Sequence, residues 1–235
     1  RQAMEYLDRT VGELVAEDYA RAAVFTELGI DFCCGGGRSA ARACASAGVE
    51  PARLVDALTA VDARGADAPA ADPRSWPLRR LVTHIEEEHH TYVRRTLPVL
   101  DAWTDKIARV HGGRHPELVE VRGLFQELAG EMTRHLDDEE QVLFPQVTAL
   151  EAASPGGGPV ADTVVKALED DHEHAGATMR RIRDLTGGFR PPADACTTYR
   201  ATFALLEEFE QDLHRHVHLE NNVLFPRALE VLGSG

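Results

Sequence analysis

His135-Leu-Asp-Asp-Glu-Glu-Gln-Val-Leu-Phe-Pro145 and His216-Val-His-Leu-Glu-Asn-Asn-Val-Leu-Phe-Pro226 are two copies of one pattern. Counted from each histidine, Glu falls at +4, Leu at +8, Phe at +9 and Pro at +10. The copies lie 81 residues apart, and His90 and His172, in the helical segments that precede them, lie 82 apart. A repeat of this length predicts a duplicated helix pair.

Four segments carry the matching periodicity, roughly 77–109, 116–150, 160–186 and 194–231. Gly/Pro-rich breaks such as Ser154–Pro159 and Gly187–Pro192 separate them, which predicts an all-α chain ending in an antiparallel four-helix bundle. In the second segment Val121, Phe125, Leu128, Met132, His135, Glu139 and Val142 advance by alternating steps of four and three. Leu206, Phe209, Leu213, His216, Glu220 and Val223 do the same in the fourth, and Val165, Leu168, His172, Ala175, Met179 and Ile182 in the third. The histidines and glutamates therefore occupy seam positions that aliphatic side chains would otherwise fill. An i, i+4 spacing puts each His–Glu pair on one helix face, within reach of a shared cation.

An ionised carboxylate buried without a partner costs several kcal/mol. Two of them on apolar seams call for a metal. Four imidazoles with two carboxylates exceed what a tetrahedral zinc site uses and suit two iron or manganese ions bridged by carboxylates, with paired iron expected. Glu-x-x-His, the order used in ferritin-like bundles, occurs at Glu169–His172, where Glu169 is a candidate supporting base. The first segment leaves an ambiguity: Leu78, Val82 and Ile85 lead to His89, whereas His90 heads Val93, Leu97 and Leu100. Histidines 84, 111, 115, 174, 214 and 218 fall off the seams and are expected to be exposed or locally hydrogen-bonded.

Ahead of the bundle, Thr10-Val-Gly-Glu13 reads as a capping box that opens a helix over about 11–28, ended by Gly29. Cys33-Cys-Gly-Gly-Gly37 follows, then an N-cap at Ser39, a short helix to Gly48, and another over about 51–61. This gives a small helical domain over 1–61, a linker over 62–76 rich in Ala, Pro and Asp, and the bundle over 77–235. A bridge between neighbouring Cys33 and Cys34 would be strained, so they are read as free thiols, candidates for redox work or iron transfer. Their place before a helix start would favour the thiolate, while Cys44 and Cys196 read as buried bystanders. The composition fits a reducing, cytoplasmic setting. A net charge of -14 argues against nucleic acid as a partner, and no apolar run nears the roughly 18 residues a membrane span needs.

Taken together, Leu28-Gly-Ile-Asp-Phe-Cys-Cys-Gly-Gly36 and the His/Glu repeat ending in Glu220-Asn-Asn-Val-Leu-Phe-Pro-Arg-Ala-Leu229 resemble the iron-sulfur cluster repair di-iron family, of the RIC or ScdA/YtfE type. That family joins a small cysteine-pair domain to a hemerythrin-like domain. The resemblance implies ligands at His135, Glu139, His172, His216 and Glu220. It also selects His90, whose counterpart lies seven residues before a Leu-Pro, here Leu97-Pro98. It further implies an oxo- or hydroxo-bridged pair of irons, and repair of clusters damaged by nitric oxide or oxidative stress, by iron donation or by nitric oxide chemistry. Proteins with damaged clusters, nitric oxide and dioxygen are then the expected partners, and a homodimer is compatible with the family. Two other readings are an oxygen- or nitric-oxide-binding sensor without turnover, and a nitric oxide reductase-like enzyme.

Overall fold

The structure, a computed structural model, describes residues 2–64, 72–152 and 162–233. The chain is all-α, and among the described residues the only β pairing is an isolated bridge between Thr10 and Ser39. Part of the expected linker, 65–71, and the break at Ser154–Pro159 lie outside the described residues. Two compact units are formed, one from described residues within Arg1–Leu81, Leu150–Pro159 and His214–Gly235, the other from those within Val82–Ala149 and Val160–Leu213.

The first unit begins with α1 (Gln2–Asp8), a helix without a start signal in the sequence. Thr10 and Glu13 form the expected capping box at the head of α2 (Val11–Glu17). The helix does not run on to residue 28. Asp18 turns extended at φ -146° and its carboxylate accepts the N–H of Ala20, starting a 3-10 turn, Tyr19–Arg21, before α3 (Ala22–Glu27). Local side-chain capping here outcompetes helix continuation. Gly29, at φ +68°, supplies the left-handed residue that ends α3. Ser39 caps α4 (Ala40–Ala47), and α5 (Pro51–Arg64) is three residues longer than expected. Arg21, almost fully buried, holds the unit together through paired bonds to Asp62 at 2.9 and 2.8 Å and a bond to the Leu14 carbonyl.

The four long helical runs follow. The first comprises α6 (Leu78–His84), a π-helical turn (Ile85–His90) and α7 (Thr91–His111). The second comprises α8 (Glu117–Asp138), a π turn (Glu139–Leu143) and α9 (Phe144–Ala152). The third is α10 (Asp162–Leu185); the fourth is α11 (Thr197–Leu219), a π turn (Glu220–Leu224) and α12 (Phe225–Gly233). Within the second unit α8 packs against both α7 and α10, around a core of Val121, Phe125, Leu128, Met179, Ile182 and Phe209. Phe209 of α11 meets Phe125 edge-on and stacks on Tyr92 of the first run.

The π turns are a departure from the continuous helices expected, and prolines account for two of them. Pro145 and Pro226 have no N–H for the carbonyl four residues back, and their rings collide with it in an α-helix. Widening the preceding turn moves the bond back one residue: Phe144 donates to Glu139 O and Phe225 to Glu220 O. The extra residue shifts the seam. Val142, expected on it, is 45% exposed, and Leu143 is buried instead. Among the described residues no helix is long and apolar enough to cross a membrane.

Candidate metal centre

All six seam donors are buried, with Glu139 and Glu220 at 0% exposure. The first π turn explains why periodicity left His89 and His90 equal. Thr91 donates to Glu86 O, five residues back, so the buried face crosses from 85 and 89 to 90 and 93 within one turn. Both histidines are inside, aimed differently. His89 Nδ1 pairs with Asp212 at 2.8 Å, whereas His90 Nε2 lies 3.3 Å from Glu139 Oε2.

Around Glu139 the second unit gathers His90, His135 and His172. Oε2 faces His90, and Oε1 lies 3.4 Å from His135 Nε2 and 3.9 Å from His172 Nε2. One carboxylate thus turns a separate oxygen toward each set of imidazoles. His135 and His172 bring their Nε2 atoms to 2.8 Å. Donors at right angles on one ion, with bonds of about 2.1 Å, stand about 3 Å apart, so a cation fits the spacing. On the far side of the rings, His90 Nδ1 meets Glu140 Oε1 at 2.8 Å and His135 Nδ1 meets Asp171 Oδ2 at 3.3 Å. A carboxylate there keeps the proton on Nδ1 and leaves the Nε2 lone pair for a metal. The donor set therefore fits a metal.

His216 and Glu220, in the first unit, form their own pair one turn apart, Nε2 to Oε1 at 2.9 Å. A cavity of about 170 Å³ lies beside the second-unit donors, lined by Met132, His135, Asp171, His172 and Ala175.

Three expectations need correction. Glu169 is exposed; Asp171, Glu140 and Asp212 are the carboxylates that orient imidazoles. Their signal, an acid one position from a ligand or on a facing helix, is indistinct on strongly acidic helix surfaces. Cys196 is exposed, in the segment before α11, and its Sγ lies 3.2 Å from buried His111 Nε2. Nor does the cysteine turn favour a thiolate at Cys33, whose thiol is held well above its ordinary range by Cys34, burial and the Asp31 carboxylate. The nearby helix start carries less weight than these direct neighbours.

Three of the other off-seam histidines have polar partners. His115 pairs with Asp194 and exposed His174 with Glu131. Buried His218 accepts from Asn222 at 3.2 Å, and burial pushes its imidazole down to about 4.

Residues 81–228 match the family described as hemerythrin HHE cation binding domain, and residues 7–62 match ScdA_N, a domain of unknown function. The chain is 35% identical to the iron-sulfur cluster repair protein YtfE of Pectobacterium carotovorum, over 96% of its length and 99% of the relative's. It is 33% identical to the protein of that name from Musicola paradisiaca, over 96% and 98%, and 35% to that of Escherichia coli, over 96% and 99%.

Proposed function

The chain belongs to the iron-sulfur cluster repair family, an ScdA N-terminal domain joined to a hemerythrin HHE cation-binding domain, and on that premise we propose that it repairs clusters damaged by nitric oxide or oxidants through a di-iron centre. His90, His135, Glu139, His172, His216 and Glu220 are the proposed ligands. The observation that carries two ions rather than one is the Glu139 carboxylate, with Oε2 toward His90 and Oε1 toward His135 and His172. The matching spacing of His216 and Glu220 supports their inclusion.

When bound, the irons supply redox and Lewis-acid chemistry. The protein's own residues do the rest. Glu140 and Asp171 fix the ring orientation and hold the Nδ1 protons of His90 and His135. Phe144 stacks on His90 at 5.4 Å and shields it from water. The cavity beside His135 and His172 has room for nitric oxide or dioxygen. Iron is also the cargo in this reading, delivered to the damaged cluster, with Cys33 and Cys34 as redox or transfer thiols in a cytoplasmic protein.

Metal analysis with anaerobic optical and Mössbauer spectra tests the centre. Two irons per chain are expected, and Glu139→Ala should lose them; one tetrahedral zinc would overturn the di-iron reading. Iron-loaded protein should revive a nitric-oxide-treated cluster enzyme. A treated enzyme that stays inactive, while a control iron donor revives it, would overturn repair.

A further inference from the structure

Asp31, Cys33 and Cys34 offer three donor atoms that lie within 4.8 Å of one another, all inside the first unit. Two thiolates on one tetrahedral ion, with metal–sulfur bonds of about 2.3 Å, stand about 3.8 Å apart. Cys33 Sγ and Cys34 Sγ are 3.9 Å apart. A disulfide would have to close that gap to about 2.05 Å between neighbouring residues, a strained bond, so the spacing suits a shared cation better than a bridge. The third donor is in place too. Asp31 Oδ1 lies 3.2 Å from Cys33 Sγ, a thiol hydrogen bond, where a carboxylate sharing an ion with that sulfur would stand about 3.6 Å away.

The turn is fixed from both sides. Asp31 Oδ1 accepts the backbone N–H groups of Cys33 and Cys34, each at 3.0 Å. From the other side, Asn222 Nδ2 donates to the carbonyls of Cys33 at 3.0 Å and Phe32 at 3.4 Å. Gly36 belongs to this fit: a Cβ there would stand 2.2 Å from Asn222 Oδ1 and 2.6 Å from the Phe32 carbonyl oxygen. Two donors converge from consecutive residues, and a third is already hydrogen-bonded to the first of them. Cys33 is buried while Cys34 is half-buried, which leaves the cluster a side open to exchange.

The geometry points to a second metal site, at Asp31, Cys33 and Cys34, which takes one divalent cation of borderline softness and leaves its fourth position open. Two thiolates select iron(II) or zinc(II) over magnesium or calcium. Three protein ligands with one position vacant are the arrangement of sites that exchange a ligand rather than merely brace a fold. On binding, two thiol protons pass to solvent as two sulfur–metal bonds form, with no change of oxidation state. The site stands independently of the bundle centre.

Cobalt(II) is the probe, since sulfur-to-cobalt charge transfer in the near ultraviolet reports thiolate ligation and is blind to the His/Glu donors. Full-length protein with its iron centre loaded and its thiols reduced is titrated anaerobically. One equivalent should produce the band. Cys33→Ser and Cys34→Ser should each abolish or blue-shift it, and Cys44→Ser and Cys196→Ser should leave it unchanged. Asp31→Asn keeps the oxygen that accepts the two backbone amides, so the turn survives, and cobalt affinity should fall at least about tenfold. No band in the unsubstituted protein, a band that survives replacement of both Cys33 and Cys34, loss of the band in Cys196→Ser, or an affinity indifferent to Asp31→Asn would each overturn the assignment.

Discussion

The two copies of His-x-x-x-Glu agree at the proposed metal donors and part company one residue later. After Glu139 come Glu140 and Gln141; after Glu220 come Asn221 and Asn222. In the first copy Glu140 turns back into its own unit and takes the Nδ1 side of His90 at 2.8 Å. In the second, Asn222 reaches away from the seam and grips the carbonyls of Phe32 and Cys33. Both glutamates open a π turn, and both turns end before Phe-Pro. The two copies thus share the donors and the widened turn, while their flanking positions differ, one orienting an imidazole and the other clamping a loop.

The largest effects should come where the copies agree. Glu139→Gln and Glu220→Gln each replace a fully buried carboxylate by a neutral isostere, and each should abolish loading of the second ion. Equivalence breaks if one of the two variants still holds two ions.

Glu140→Ala tests the first copy's private feature. Without its acceptor, His90 loses the partner that fixes its tautomer, and Arg94 loses a 3.0 Å contact to the same carboxylate. Metal affinity should fall about 10–100-fold by competition with a chelator, with the fold intact by circular dichroism.

How much of this was legible depended on whether a residue broke a pattern. His135, Glu139, His172, His216 and Glu220 interrupt long aliphatic rows, so their inward placement could be read from the sequence. The His89/His90 ambiguity was itself the trace of a π turn: two seams in different phase meet where one extra residue enters the helix. Leu-Phe-Pro after each glutamate held the same information, because a proline inside a helix must be accommodated somewhere. Val142 was misplaced for want of that step. Asp31, Glu140, Asp171 and Asn222 interrupt nothing. They are polar residues on polar faces or in a turn, and only the fold says which neighbour each one meets. Asp18 shows the reverse failure, a helix expected over 11–28 from its capping box and closing glycine but interrupted by one carboxylate that caps its own chain.

The smallest effects should come where the copies differ most quietly, two residues beyond each glutamate. Gly12, inside α2, has no room for a methyl group: its Cβ would stand 2.3 Å from Asn222 Oδ1 and 2.6 Å from Cγ. In an open helix Gly→Ala gains up to about 1 kcal/mol, so the sign of the change reports the clash. Gly12→Ala should destabilise by about 1–3 kcal/mol in the natural background. With Asn222→Ala it should become neutral or stabilising, a coupling of about 1–3 kcal/mol in a denaturant double-mutant cycle. Gln141, the counterpart of Asn222, is exposed. Gln141→Ala should stay within about 0.5 kcal/mol of the parent. Additivity of Gly12→Ala and Asn222→Ala would mean the clamp is not made in solution, and a large cost at Gln141 would mean the first copy carries a clamp of its own. The predicted asymmetry assigns the loop-holding role to one copy only, so the cysteine turn depends on Asn222 for its shape even though Asn222 donates nothing to a metal.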